Sequence, residues 1–235
     1  MIRLLKLVVI FPFFVGAAQF ARADGSDFDA KVRAFLLNNP EVILEALAVL
    51  TKREEQAALE AKLDRYPELF HGAPQLGIGA RDAPVQIVEF FDYKCQPCKA
   101  VHPVLEAFVA DNPEVRIEMR HLPILTPGSE RGARFALATQ AAFGDVAYQA
   151  VHERLWTIRG PLRTEGFERI ADALGLDYEV IAPLMESDSV TARIDYNRNV
   201  AIDLEILGTP AFLTPNSMTF GSIDIDVLSD IWLSQ

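Results

Sequence analysis

Hydrophobic and polar residues change their period several times along the chain, and each change predicts an element. Val85-Gln86-Ile87-Val88-Glu89-Phe90-Phe91 is rich in β-branched and aromatic residues and predicts a central strand. Val115-Arg116-Ile117-Glu118-Met119-Arg120-His121-Leu122 alternates apolar with polar and predicts a second. Shorter strands are expected at 75–79, 211–214 and 218–220, the first at a sheet edge. Between the two long strands the period is helical from Cys95 to about Asp111, with Pro103 expected to kink the helix. From Ser129 to about Leu207 no strand signal occurs. Helices are expected at 130–143, 145–157, 164–174, 177–187 and 189–207, with capping character at Thr164-Glu165 and at Asp177. A last helix covers 224–233. This order predicts an α/β fold: a mixed sheet with helices on both faces, in a domain 75–235 with an all-helical insertion at about 129–207.

Residues 24–74 precede that domain and carry only helical signals. Ser26 is the expected first cap, and Phe28, Val32, Phe35 and Leu36 share one face. Asn39-Pro40-Glu41 restarts the pattern, with Asn39 as cap and Pro40 in the first turn, followed by Ile43, Leu47 and Leu50. A helix pair of this size buries little surface alone. Self-association through residues 24–66 is the favoured reading. The competing one folds the pair back on its own domain.

The N-terminus changes the picture of where the chain works. Arg3 and Lys6 precede an apolar stretch from Leu7 to Ala18, followed by Ala21-Arg22-Ala23, the pattern of a secretory signal peptide covering 1–23. The stretch is shorter than the ~20 residues a spanning helix needs. Its removal takes three basic residues and no acid, so the net charge of −11 becomes −14. Such a chain repels phosphates, which argues against nucleic acid as a partner.

Export places the two cysteines, Cys95 and Cys98, in an oxidising compartment. A bridge between residues three apart constrains little of the unfolded chain, so a purely structural disulfide is a poor explanation. Cys95 falls at a strand-to-helix turn, where free backbone N–H groups and the helix dipole favour a thiolate. Zinc is the rival use of the pair. It needs four ligands, whereas His71, His102, His121 and His152 are scattered along the sequence. His102 reads as a surface residue and the other three as structural. Lys94 and Lys99 flank the pair and favour the thiolate weakly. No metal and no cofactor are expected.

Glu89-Phe90-Phe91-Asp92-Tyr93-Lys94-Cys95, the Cys95-Gln96-Pro97-Cys98 pair and the late Gly208-Thr209-Pro210 together resemble the DsbA-like branch of the thioredoxin superfamily. Residues 24–66, around Phe35-Leu36-Leu37-Asn38-Asn39-Pro40-Glu41, are similar to the N-terminal oligomerising segment of ScsC-type proteins. The resemblance implies a thioredoxin fold with a helical insertion and a periplasmic thiol–disulfide oxidoreductase acting on cysteines of exported proteins. It implies Cys95 as nucleophile, Cys98 as resolving thiol and Glu89 as proton relay. Thr209 and a cis Pro210, with Gln96 and Pro97, would contact substrate, and a DsbB- or DsbD-like membrane protein would reset the pair. Gln96 stands where DsbA carries part of its Pro-His dipeptide and cannot hold the thiolate by charge. Cys95 is therefore expected to be acidic, but less so than in the strongest oxidants. Disulfide isomerase is the leading expectation. Dithiol oxidase is the close alternative, and a copper-handling or chaperone protein without catalysis is a more distant one.

Overall fold

The computed structural model describes residues 25–71, 76–221 and 224–233. The expected signal peptide 1–23 and the His71 side chain lie outside the described residues. The chain divides into two compact units, Met1–Thr51 and Lys52–Gln235.

In the first unit α1 (Gly25–Asn38) starts one residue ahead of the expected Ser26 cap. The Asn39 side chain does not cap forward. Its amide donates to Phe35 O at 2.8 Å and closes the end of α1. The next helix, α2 (Glu41–Leu63), begins here and runs on into the second unit. Phe28, Phe35 and Leu47 are 69%, 55% and 53% exposed, so among the described residues the apolar stripe read from the sequence is left unburied by its own unit.

The second unit is built on a five-stranded sheet ordered β1-β3-β2-β4-β5. Its strands are β1 (Leu76–Ile78), β2 (Val85–Phe91), β3 (Val115–His121), β4 (Ala211–Leu213) and β5 (Met218–Phe220). β2 and β3 are parallel, with Glu89 opposite Met119, and the other pairings are antiparallel. Alternation along β2 divides its side chains between two cores. Ile87 packs with Val101, Leu105 and Phe108 of α4 (Gln96–Asp111) and with Leu228 and Trp232 of α9 (Ile225–Leu233). Val88 and Phe90 face the other way, onto Leu63 of α2, Leu69 of α3 (Glu68–His71), Val200 of α8 (Asp188–Asp203) and Leu204 just after it.

The end of α2 therefore belongs to the sheet unit, not to an appendage. Lys62 pairs with Glu205 at 2.6 Å and Arg65 with Asp203 at 3.0 Å. The sequence expectation set the boundary near residue 74. Leu59, Leu63, Tyr66 and Phe70 are the apolar positions that move it, because they cover one face of the sheet. The same covering explains why β3 is buried at every position despite its alternation. Arg116 pairs with Glu118 at 2.5 Å and donates to Gly79 O at 2.8 Å, while Arg120 donates to Glu68 O at 3.0 Å.

The helical block follows β3. α5 (Pro127–Thr157) is interrupted at Gly144, whose φ of 81° supports the break expected between residues 143 and 145. It starts three residues before the expected Glu130, on a capping box between Thr126 and Ser129. α6 (Thr164–Ala173) departs from expectation: Arg163 occupies the cap position and makes no side-chain cap bond, whereas Thr164 lies inside the helix. α7 (Tyr178–Leu184) is capped by Asp177, as its sequence implies. α4 continues through Pro103 without a break.

Candidate active site

β2 ends at Phe91 and α4 begins at Gln96, so the turn between them and the first turn of α4 place Cys95 and Cys98 at one end of the sheet. Asp92 holds that turn. Its carboxylate accepts from Lys94 N at 2.7 Å and from Ile124 N and Leu125 N at 3.0 and 3.1 Å, and its carbonyl accepts from Cys95 N at 2.9 Å. The sequence reading passed over Asp92. Its signal was an acidic residue set in a turn three positions before the helix N-cap.

Cys95 is the N-cap of α4, and its sulfur accepts from Cys98 N at 3.1 Å. Both cysteines are free. Cys95 is 3% exposed and Cys98 0%. The Cys95 thiol is lowered to about 6, first by a hydrogen bond from the Cys98 thiol. Thr209 and the Cys98 N–H act in the same direction. Burial opposes them. The Cys98 thiol is pushed up, chiefly by burial and then by its bond to Cys95. The two thiols thus differ in the sense an exchange reaction requires, with the attacking sulfur charged and the resolving one neutral.

The Thr209–Pro210 peptide is cis. It brings Thr209 O within 3.2 Å of Cys95 Sγ, and the thiol donates to that carbonyl. Gln96 and Pro97 are exposed at the tip of the turn. Glu89 shares the β2 face that meets α4 and is 0% exposed. Neither of its carboxylate oxygens has a hydrogen-bond partner among the described residues. Burial, and secondarily the Cys95 charge, raise it to about 8, so it is mostly protonated at pH 7.

Three histidines that looked scattered converge behind the turn. His152 accepts from Trp156 Nε1–H at 2.9 Å, which leaves its Nδ1 hydrogen for Tyr93 OH at 2.7 Å. Tyr148 OH bonds His121 Nε2 at 2.9 Å, and His121 O accepts from Asn197 Nδ2 at 3.0 Å. Burial holds His121 down to about 3 and His152 well below the usual imidazole range, so the network is neutral. His102 is not a surface residue. It is 4% exposed, with its ring centroid 5.0 Å from Trp156 and 5.3 Å from His152. Position 102 shares the inward face of α4 with Cys98 and Leu105, which the sequence spacing alone contained. Ligand atoms of His102, His152 and Glu153 lie within 4.8 Å of one another. Both His152 nitrogens are already engaged, which leaves two free ligands, fewer than a zinc site requires. Lys94 and Lys99 turn away from the thiol: Lys94 Nζ donates to Gly160 O at 2.8 Å and Lys99 Nζ to Ile158 O.

Comparisons with known proteins agree with this geometry. The copper resistance protein ScsC N-terminal domain matches residues 24–57. A linker-deleted form of Proteus mirabilis ScsC is 25% identical, with a TM-score of 0.67 over 93% of this chain and 98% of that one. The probable disulfide bond formation protein D of Bacillus anthracis is 30% identical over 99 residues, 40% of this chain and 42% of that protein. The Na(+)/H(+) antiporter NhaA 3 of Salinispora tropica is 30% identical over 151 residues, 64% of this chain. The chain spans 23% of that antiporter's length, less than half of either curated relative. The DSBA-like thioredoxin domain matches residues 86–231, well over half of the chain and the whole setting of both thiols, and the chain belongs to that family.

Proposed function

We propose that the protein is a periplasmic thiol–disulfide oxidoreductase that works on cysteines of exported proteins through Cys95 and Cys98. The observation that carries this is the Cys95 sulfur at the start of α4, accepting from Cys98 N at 3.1 Å and lowered to about 6 beside the buried Cys98 thiol. The Cys95 thiolate attacks a substrate disulfide, forms a mixed disulfide and releases one substrate thiolate. Ionisation of Cys95 also frees Thr209 O, which then accepts a backbone N–H from an extended substrate segment, as in strand addition. Cys98 then attacks Cys95 Sγ, expels the second substrate thiolate and passes its own proton to Glu89. The mixed disulfide carries no charge, so the part of the Glu89 shift that comes from the Cys95 thiolate is absent when the carboxylate must act. Read in reverse, Glu89 returns the proton as Cys98 leaves.

Isomerase is the preferred direction. The exposed apolar stripe of α1 and early α2, with the ScsC-type match on 24–57, supports a homo-oligomer that holds several thiol pairs near one another. Oxidase is the second reading. A low Cys95 pKa stabilises the reduced pair and makes its disulfide a better oxidant. The N-terminal segment 1–23 supports export, and a DsbB- or DsbD-like membrane partner would set the redox state. The test is refolding of scrambled ribonuclease beside oxidation of reduced ribonuclease, with the chain starting at residue 24 and at residue 52. The isomerase reading expects the shorter chain to be monomeric, to lose isomerase activity and to keep oxidase activity. Equal isomerase activity from a monomeric shorter chain overturns it.

A further inference from the structure

A basin of about 570 Å³ opens beside the active-site turn, between the end of α5, the 158–163 loop and α6. Arg154, Arg163 and Arg169 line it, against one acid, Glu165. All three arginines are exposed, and among the described residues none makes a side-chain ion pair. Arg169 Nε donates to Glu165 O at 3.0 Å, which fixes that side chain along the wall. Arg163 stands at the start of α6 without capping it, so the positive end of the helix dipole faces the same opening. Ile158, Pro161 and Ile170 supply an apolar floor. This concentration of positive charge stands out in a chain whose net charge is −11.

Its position ties it to the thiols. Ile158 and Gly160 lie on its rim, and their carbonyls hold the ammonium groups of Lys99 and Lys94. Lys94 precedes Cys95 and Lys99 follows Cys98, so each end of the redox pair is one lysine side chain from the basin.

We propose that this basin docks a carboxylate-rich stretch of the polypeptide flanking the substrate's cysteine, and so selects acidic segments for exchange. The inference rests on the exchange reading above and adds the substrate class. An open wall with apolar floor and spread guanidinium groups suits a peptide with several acids, each carboxylate meeting an arginine at the surface. Charge complementarity of this kind acts mainly on capture and fades with salt.

The experiment uses the reduced full-length mature protein and two disulfide-linked peptides, identical except that the cysteine is flanked by aspartate and glutamate or by serine and glutamine. Oxidised glutathione is a third substrate. Second-order rates are measured at low ionic strength and at about 0.3 M salt. The acidic peptide is expected to react about tenfold faster than the neutral one at low salt, with the preference shrinking at high salt. In R154Q/R163Q/R169Q the ratio falls towards one while the neutral peptide keeps its rate. Taking the ratio cancels any change in the Cys95 thiolate itself. The three single variants give intermediate ratios and carry the test where the triple variant does not fold. A ratio of one in the unaltered protein, or a ratio that survives the triple substitution, overturns the proposal. So does glutathione losing as much as the acidic peptide, which would make the basin a small-anion site. Failure of the unaltered protein to react with any of the three substrates refutes the exchange reading itself.

Discussion

Replacing Glu89 with glutamine probes a buried carboxyl group that the fold leaves unpartnered among the described residues. The side chain is wholly buried with no partner for either oxygen, and its ionisation is raised from 4.5 to about 8. A group raised on folding contributes stability that is fully present below its unfolded value and lost as pH climbs through its folded value. The window is therefore pH 4.5 to 8. At about 1.4 kcal/mol per unit, this glutamate removes about 3 kcal/mol by pH 7 and about 5 kcal/mol once ionised in the fold. Glutamine leaves polar atoms buried too, but that cost does not change with pH. The Cys95 thiolate tilts stability the opposite way between about pH 6 and 9 in both proteins, so it largely cancels in their difference. Urea unfolding of the reduced proteins across pH 4 to 9 should show Glu89→Gln gaining about 3 kcal/mol on the unaltered chain by pH 7 and levelling above pH 8. The same variant should resolve its mixed disulfide at least about tenfold more slowly, because Cys98 has lost its proton acceptor. Parallel stability curves across the window would refute the burial argument, and an unchanged resolution rate would refute the relay.

Two further outcomes test the scaffold. Tyr93→Phe leaves the His152 Nδ1–H buried without its 2.7 Å partner and should cost about 1–3 kcal/mol in urea unfolding, with little change in the Cys95 titration. Deletion through Thr51 should leave the melting temperature of the sheet unit nearly unchanged. Deletion through Tyr66 removes Leu59 and Leu63 from the core and should lower it by ten degrees or more, on the order of several kcal/mol.

The sheet was legible because β2 and its neighbours carry their strand signal locally: Ile87 and Val88 are apolar on opposite faces, and both faces are covered. Cys95, Cys98, Glu89 and Pro210 were legible as a set, and the fold brings them to one end of the sheet. What the sequence concealed depends on contacts across long separations. His102, His121 and His152 lie on three elements, and only packing shows that they share one aromatic cluster around Phe91, Tyr93 and Trp156. The unit boundary was hidden for the same reason. The charges at 52–55 suggest a solvated helix, yet a turn or two later Leu63 is a core residue and Leu59 packs against the same core. Thr164 looked like a cap by residue type, but the helix it starts takes its cap position from Arg163, which leaves that end open to the cationic basin.

Trapping the covalent intermediate tests the central claim most directly. A Cys98→Ala chain is mixed with a disulfide-linked peptide and the adduct is identified by mass and by peptide mapping. Thiol–disulfide exchange at Cys95 predicts one stable mixed disulfide on Cys95, with a rate that rises with pH through a midpoint above the value of about 6 of the unaltered chain, because the Cys98 thiol that donates to Cys95 is absent. Absence of an adduct, or an adduct forming at the same rate in Cys95→Ala with Cys98 retained, would contradict the account.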